Sequence, residues 1–370
     1  MKLLSRTRFS WVSGIALLVA FGMLAGCSGV SDNLNAPDTE GLGLVQLSKA
    51  DPRIQSVMAV QDRHTGNLMS DPEVVGTATG LDDKGTPAIF VYLETSKGGK
   101  NVPAEIEGIP VMKIVSGKMM MLRGGGTSTT GHTARYPRPI SLGVSGGNSK
   151  DFAYPYCCSG TLGALLQDGS GTQFILSNKH VFAGDQAASA NDPDVAEVGN
   201  EINQPGLIEV GCQDLSADYV ANLSAWCVDG NDIDAALAEV MPGMVDPGGS
   251  ILEIGELSAT TMDAYVGLNV KKSGRTSGLT RAYVSALNAT FTVGGSDECG
   301  GEATTELFTG QIVVTGNKFL QSGDSGSLLV EDVAVNPRAV GLLFAGSTRT
   351  AIANPIDNVL NYFGMYMVGN

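Results

Sequence analysis

The sequence predicts a mainly β protein built of antiparallel barrels and preceded by a small α/β segment. Glycine is abundant, at 49 residues, while aromatic side chains make up only 6%. That composition suits short strands joined by tight turns better than a helical bundle. Beyond residue 140, short apolar runs recur between clusters of Gly, Asp, Ser and Asn, the punctuation an antiparallel barrel needs. Before residue 122, one helix-like spacing is followed by strand-like runs. With 370 residues the chain is long enough for two or three cores. The net charge of −15 excludes nucleic acid as a partner, because a polyanion is repelled and no Lys/Arg cluster with interleaved aromatics overcomes that. An acidic surface favours solubility and by itself carries no inference about substrate.

The chain opens with Lys2, Arg6 and Arg8, an apolar run over residues 9–23, and the box Leu24-Ala25-Gly26-Cys27. This resembles a bacterial lipoprotein signal peptide spanning 1–26. The resemblance implies a diacylglyceryl group on the Cys27 sulfur, a mature chain starting there, and a protein held at the cell envelope by lipid. Residues 27–41 are polar and read as a tether. A small α/β unit is expected over 42–122. Ile54, Val57 and Met58 fall at helical spacing, which Gln61 interrupts. Residues 74–79 and 88–93 read as strands paired around Asp82-Asp83-Lys84-Gly85, and Ile109–Val115 with 118–122 would complete a sheet. His64 sits in a polar helix end, where a solvated histidine is expected.

Residues 123–139, rich in Gly, Ser, Thr and Pro, form the clearest linker, and His132 within it is expected to be solvated. A first barrel follows over 140–245. Residues 160–166, the turn Asp168-Gly169-Ser170-Gly171, and Phe174-Ile175-Leu176-Ser177 make a hairpin whose second strand delivers His180 at its end. Residues 199–206 read as a loop, 234–240 as the closing strand, and 241–249 as the crossover. The second barrel, 246–370, has strand-like runs at 267–271, 282–287, 311–315, 326–330 and 339–346, with a turn over 273–280.

Within it, Gln321-Ser322-Gly323-Asp324-Ser325-Gly326-Ser327 places a glycine-flanked serine before an apolar run. A serine hydroxyl needs a base to take its proton and donors for the oxyanion that forms. Ser177-Asn178-Lys179-His180-Val181 and Asn231-Asp232-Ile233-Asp234-Ala235-Ala236-Leu237 supply a base and an acid upstream, in the order His, Asp, Ser. Over about residues 140–368 the chain resembles the trypsin-like, chymotrypsin-fold serine proteases, particularly bacterial members. The resemblance implies two antiparallel six-stranded barrels, a catalytic triad of His180, Asp234 and Ser325, an oxyanion hole made by the amides of Gly323 and Ser325, a protein or peptide substrate and no cofactor. Asp234 rather than Asp232 fits the family pattern, since it is followed by Ala-Ala-Leu.

The sequence departs from trypsin itself in three ways. Phe319, six positions before Ser325, stands at the base of the substrate pocket and carries no charge, so an apolar or small P1 residue is expected. Leu343-Phe344-Ala345-Gly346 replaces the frequent Ser-Trp-Gly; Gly346 keeps the pocket entrance open, but a hydroxyl near the triad acid is missing. Asp324 would pair in trypsin-like enzymes with a newly exposed N-terminus and here needs another partner, unless cleavage near the linker makes a new amine. Cys157, Cys158, Cys212, Cys227 and Cys299 remain beside the lipidated Cys27. Cys212 and Cys227, 15 positions apart, are the first disulfide candidates, and such a closure is worth about 3 kcal/mol in the chain-entropy model. No C-x-x-C pair or H-E-x-x-H helix suggests zinc. An α/β-hydrolase is excluded because position 327 is Ser rather than Gly and no histidine follows His180. The remaining rival is a protease fold kept as a catalytically weak or inactive binding or adhesion lipoprotein.

Overall fold

A computed structural model describes residues 47–122, 124, 131–153, 156–184, 195–296 and 303–370. The signal-like segment, Cys27, the tether, most of the Gly/Ser/Thr run and Cys299 lie outside the described residues. The first barrel has the strand order Gly160–Leu162, Val144–Asn148, Glu201–Asn203, Tyr219–Trp226, Ala236–Val240, Gln173–Ser177, Ala164–Gln167. The first and last of these are one run of chain interrupted at Gly163, so the sheet closes on itself as six strands. Its hairpin turn is fixed locally: Asp168 Oδ1 accepts from the Ser170 and Thr172 amides at 2.8 and 2.9 Å. Leu162, Ile175, Leu176, Val220, Leu223 and Leu237 are buried in one core cluster with these strands.

The second barrel runs Asn269–Gly274, Leu328–Glu331, Ala339–Gly346, Thr350–Pro355, Ala303–Thr315, Gly278–Ser296, and the last strand pairs back onto the first. Both barrels are antiparallel and six-stranded, as the resemblance implies. The helix Ile356–Phe363 then buries Ile356, Val359 and Leu360 in the first barrel's core. Tyr366–Met367 adds to the edge of Ala164–Gln167, tying the two barrels together through the C-terminal segment.

The expected α/β segment precedes the barrels and is fused to the second of them. Its helix, Pro52–Leu68, starts on an Asp51 carboxylate that accepts from the Arg53 amide at 2.8 Å, with Pro52 in the first turn. Gln61 does not end the apolar face. It is buried, with Nε2 donating to the Asn288 carbonyl at 2.8 Å and Oε1 accepting from Thr79 Oγ1 at 2.8 Å, so its polar groups are satisfied inside the packing. Val74–Leu81 pairs antiparallel with Pro87–Leu93 on one side and with Gly278–Ser296 on the other. Along Pro87–Leu93, Ile89, Val91 and Leu93 face the helix, while Ala88, Phe90 and Tyr92 join Phe291, Phe308 and Phe344 of the second barrel. A strand buried on both faces reads as the continuous apolar run seen there. Residues 118–122 do not complete this sheet as expected. Met119–Met121 leaves it to lie between Gly278–Ser296 and Ala339–Gly346 of the second barrel.

The disulfide expected between Cys212 and Cys227 is not formed; Cys212 is bonded to Cys157, 55 positions away. Cys227 ends a core-facing strand with its amide on the Ala235 carbonyl at 2.9 Å and its thiol buried. Cys212 follows the half-buried turn Leu207–Val210. Burial pushes the Cys227 thiol up to about 12, which makes it an inert core group. Cys158 is also disulfide-bonded. The longer closure is worth about 4 kcal/mol in the chain-entropy model.

Candidate active site

The site lies where the two barrels meet. His180 sits on the single helical turn Lys179–Phe182 that follows strand Gln173–Ser177, and its side chain is 4% exposed. Its Nδ1 lies 2.5 Å from Asp234 Oδ2, and its backbone amide donates to Asp234 Oδ1 at 3.1 Å. Both carboxylate oxygens are thus engaged by one residue, which fixes the ring without the hydroxyl absent from Leu343-Phe344-Ala345. Asp234 is itself held by two asparagines. Asn178 Nδ2 donates to its carbonyl at 2.8 Å, and its amide donates to Asn354 Oδ1 at 3.1 Å. Asp232 is not at the imidazole; its carboxylate accepts from the Thr309 amide at 2.7 Å and hydroxyl at 2.9 Å.

Ser325 is fully buried on the turn between the two glycines of the motif. Gly323 and Gly326 have φ of 94° and 91°, values that only glycine adopts easily. A Cβ on Gly326 would also meet Ser177 Oγ at 2.2 Å, and one on Gly323 would meet Thr276 Oγ1 at 2.5 Å. The turn is stitched to the first barrel: the Thr161 amide donates to the Ser325 carbonyl at 2.9 Å, and Thr161 Oγ1 to the Gly323 carbonyl at 2.9 Å. The Ser325 hydroxyl donates to the Phe344 carbonyl at 3.1 Å, and His180 Nε2 is buried with no hydrogen-bond partner among the described residues.

Asp324 finds its partner inside the chain. Lys272 Nζ lies 3.0 Å from Asp324 Oδ2, with neither side chain exposed. The carboxylate also accepts from the amides of Thr276, Ser277 and Gln321 at 2.8, 3.0 and 2.9 Å. Burial lowers the Lys272 pKa, opposed by the Asp324 charge. The turn that carries Ser325 is therefore held without a new N-terminus. Sequence reasoning missed Lys272; the available signal was a lysine inside a strand otherwise facing a core.

Phe319 is buried in the second barrel's core with Leu320 and Leu343. Leu122 packs against the same cluster, and the Gly323 amide donates to the Leu122 carbonyl at 2.7 Å. Gly346 pairs with Met120 and Ala345 with Met121. Next to them is a cavity of about 530 Å3 lined by Met121, His180, Asp234, Asp229, Glu306 and Phe308 among others. Burial raises the Glu306 pKa. His132, expected to be solvated, is instead 3% exposed, with Nε2 at 2.9 Å from Ser273 Oγ and 3.1 Å from Glu253 Oε2. The turn Gly131–Thr133 folds back between the barrels, and that covers the ring. Among the described residues no cluster of His, Cys, Asp and Glu is placed to hold a metal.

A family model described as the Nal1 C-terminal domain matches residues 228–354, a stretch that holds Asp234 and Ser325 but not His180. No curated protein matches the chain. Solved structures similar to it include a glutamic acid-specific serine protease, at 16% identity and TM-score 0.41, covering 62% of this chain and 100% of that one. Protease A of Thermobifida fusca follows at 18% identity and TM-score 0.40, covering 62% and 99%. The Nocardiopsis protease has 15% identity and TM-score 0.41, covering 62% and 98%.

Proposed function

We propose that this chain is a serine endopeptidase of the cell envelope, held to a membrane by lipid on Cys27, that hydrolyses peptide bonds through an acyl-enzyme on Ser325. The observation that carries the reading is a peptide carbonyl, that of Leu122, resting on the Gly323 amide beside Ser325 and the His180–Asp234 pair. This chemistry requires the Ser325 hydroxyl to turn from the Phe344 carbonyl to His180 Nε2, which is buried with no hydrogen-bond partner among the described residues. His180 then receives the proton as the oxygen attacks, Asp234 stabilises the imidazolium, and the Gly323 amide stabilises the oxyanion. His180 returns the proton to the leaving amine, and water hydrolyses the ester by the same steps in reverse. The apolar cluster around Phe319 supports an apolar P1 residue.

Hydrolysis of a leucyl p-nitroanilide peptide and labelling by a fluorophosphonate test the assignment. Ser325→Ala is expected to lose both, and a mutant that still labels would sink it. Lipid attachment is tested by fatty-acid incorporation, which Cys27→Ser should abolish; equal incorporation would mean the box is misread. One observation favours the binding-protein reading: the Ser325 hydroxyl is bonded to Phe344 and not to His180. A chain inert toward both probes even with its cleft opened would support that rival.

A further inference from the structure

We propose that the cavity beside His180 is a subsite for a lysine or arginine side chain of the substrate, at the residue immediately before P1, and that Glu306 selects it. This rests on the protease reading above and adds the class of peptide the site prefers. On strand Ala303–Thr315 the usual placement of charge and apolar side chain is reversed: Glu306 is half-buried, whereas Leu307 beside it is 51% exposed. Alternation puts Glu306 on the same face as the buried Phe308. A carboxylate turned inward costs free energy unless something compensates it, and here its Oε1 accepts from the Gly230 amide at 3.2 Å. Among the described residues no cation pairs with it. The carboxylates of Asp229, Asp234 and Glu306 all line the cavity, Asp234 is engaged by His180, and the ammonium of Lys179 is taken by Asp229. The cavity is therefore short of positive charge at Glu306.

Its walls fit a long cationic side chain. Met121, Ile233 and Phe308 supply apolar surface within a volume of about 530 Å3, which suits the methylene stem of lysine or arginine while the head reaches the carboxylate. His180, 4% exposed and with Nε2 unpartnered, lines the same cavity, so a side chain seated there adjoins the reacting centre. The register follows from the edge of Ala339–Gly346. Met121 pairs with Ala345 and lines the cavity, while Leu122, next in the chain, packs on the Phe319 cluster with its carbonyl on the Gly323 amide. A substrate strand on that edge puts its P1 side chain against Phe319 and the preceding side chain into the cavity of Glu306. Glu306 is also fixed beforehand, because the loop that gives it the Gly230 amide is joined to the same strand by Asp232, which accepts from the Thr309 amide at 2.7 Å. A held acceptor loses little freedom when the cation arrives, and the hydrogen bond it then accepts is charge-assisted.

The full chain is assayed as wild type, Glu306→Gln and Glu306→Lys for kcat/KM on succinyl-Ala-Ala-Xaa-Leu-p-nitroanilide, with Xaa as Lys, Ala or Glu. The wild type should favour Lys over Ala by about tenfold or more, as for a hydrogen bond to a charged group, and Glu should be slowest. Glu306→Gln keeps an acceptor for the Gly230 amide, so a merely structural glutamate would leave the Lys-to-Ala ratio unmoved, whereas the subsite requires it to fall close to unity. Glu306→Lys should put the Glu peptide first. A wild type that treats Lys and Ala alike, or a preference that survives Glu306→Gln, would overturn the subsite and leave the protease reading standing. Equal or faster cleavage of a peptide with Lys moved one residue further from P1 would overturn the register. If the wild type cleaves none of these peptides, the same ratios are read in Leu122→Asp, whose carboxylate against the apolar cluster loosens Met119–Met121 from the edge that a substrate needs. Should Leu122→Asp, folded by its melting curve, label with fluorophosphonate but cleave none, the subsite alone is lost; if it neither labels nor cleaves, both readings fail.

Discussion

At Asp234 both carboxylate oxygens face His180, one toward Nδ1 and one toward the backbone amide. Asp234→Asn would keep the shape and still accept from the amide, but its NH2 would face Nδ1 and favour the wrong imidazole tautomer. Turnover is expected to fall by about 10⁴-fold. Asp232 is a different case. It sits at φ 58°, a conformation asparagine tolerates well, and its role is to accept from Thr309. Asp232→Asn keeps one acceptor for the amide, so peptide turnover should change less than about tenfold, as for loss of one modest hydrogen bond. Initial rates of the two variants at pH 7.5 decide this, and the reverse ranking would move the orienting role to Asp232.

The turn that carries Ser325 and strand Asn269–Gly274 form one element through a buried ion pair. Lys272 Nζ also donates to the Gly278 carbonyl at 3.1 Å and to the Ser277 hydroxyl, so the cation is solvated by protein. Removing it leaves Asp324 charged and buried. Lys272→Met is expected to lose about 3–5 kcal/mol of stability, the usual cost of breaking such a pair on one side. Adding Asp324→Asn should recover part of that, because the Thr276 and Ser277 amides, which share Oδ1, keep an oxygen acceptor, only the Gln321 amide on Oδ2 loses its own, and the unpaired charge is gone. Urea midpoints of the single and double variants test this; an equal loss in both would mean the pair contributes no coupling.

At the scale of the whole molecule, the join between barrels has a pH-sensitive corner. His132 is buried between Ser273 and Glu253, with Lys272 and Asp324 nearby, and burial lowers its pKa below the usual 6.5. A histidine with a depressed folded pKa binds its proton more readily when unfolded. The stability it contributes is therefore complete above pH 6.5 and is lost as pH falls from there toward its folded pKa. The melting temperature should drop between pH 7.5 and 5, and drop less in His132→Gln, which keeps a side-chain donor but cannot titrate. Identical pH slopes in the two proteins would remove His132 as the cause.

The two barrels, the strand that presents His180 and the turn that carries Ser325 were legible because each is written in neighbouring residues: short apolar runs between turn residues, an Asx turn at Asp168, and glycines where positive φ is required. The strands Gly278–Ser296 and Ala303–Thr315 were read only in part, as residues 282–287 and 311–315, although the alternation Ala289-Thr290-Phe291-Thr292-Val293, with its apolar members buried, marks the continuation of the first. Four matters were decided only by the tertiary structure. Cys212 pairs with Cys157 because Cys227 turns into the core; Asp324 is neutralised by Lys272 across the barrel wall; His132 is covered by the join between barrels; and residues 119–122 leave their own sheet for the cleft. Each depends on which edges and charges the folded barrels leave open, and contacts between residues tens to hundreds of positions apart leave no mark in local spacing.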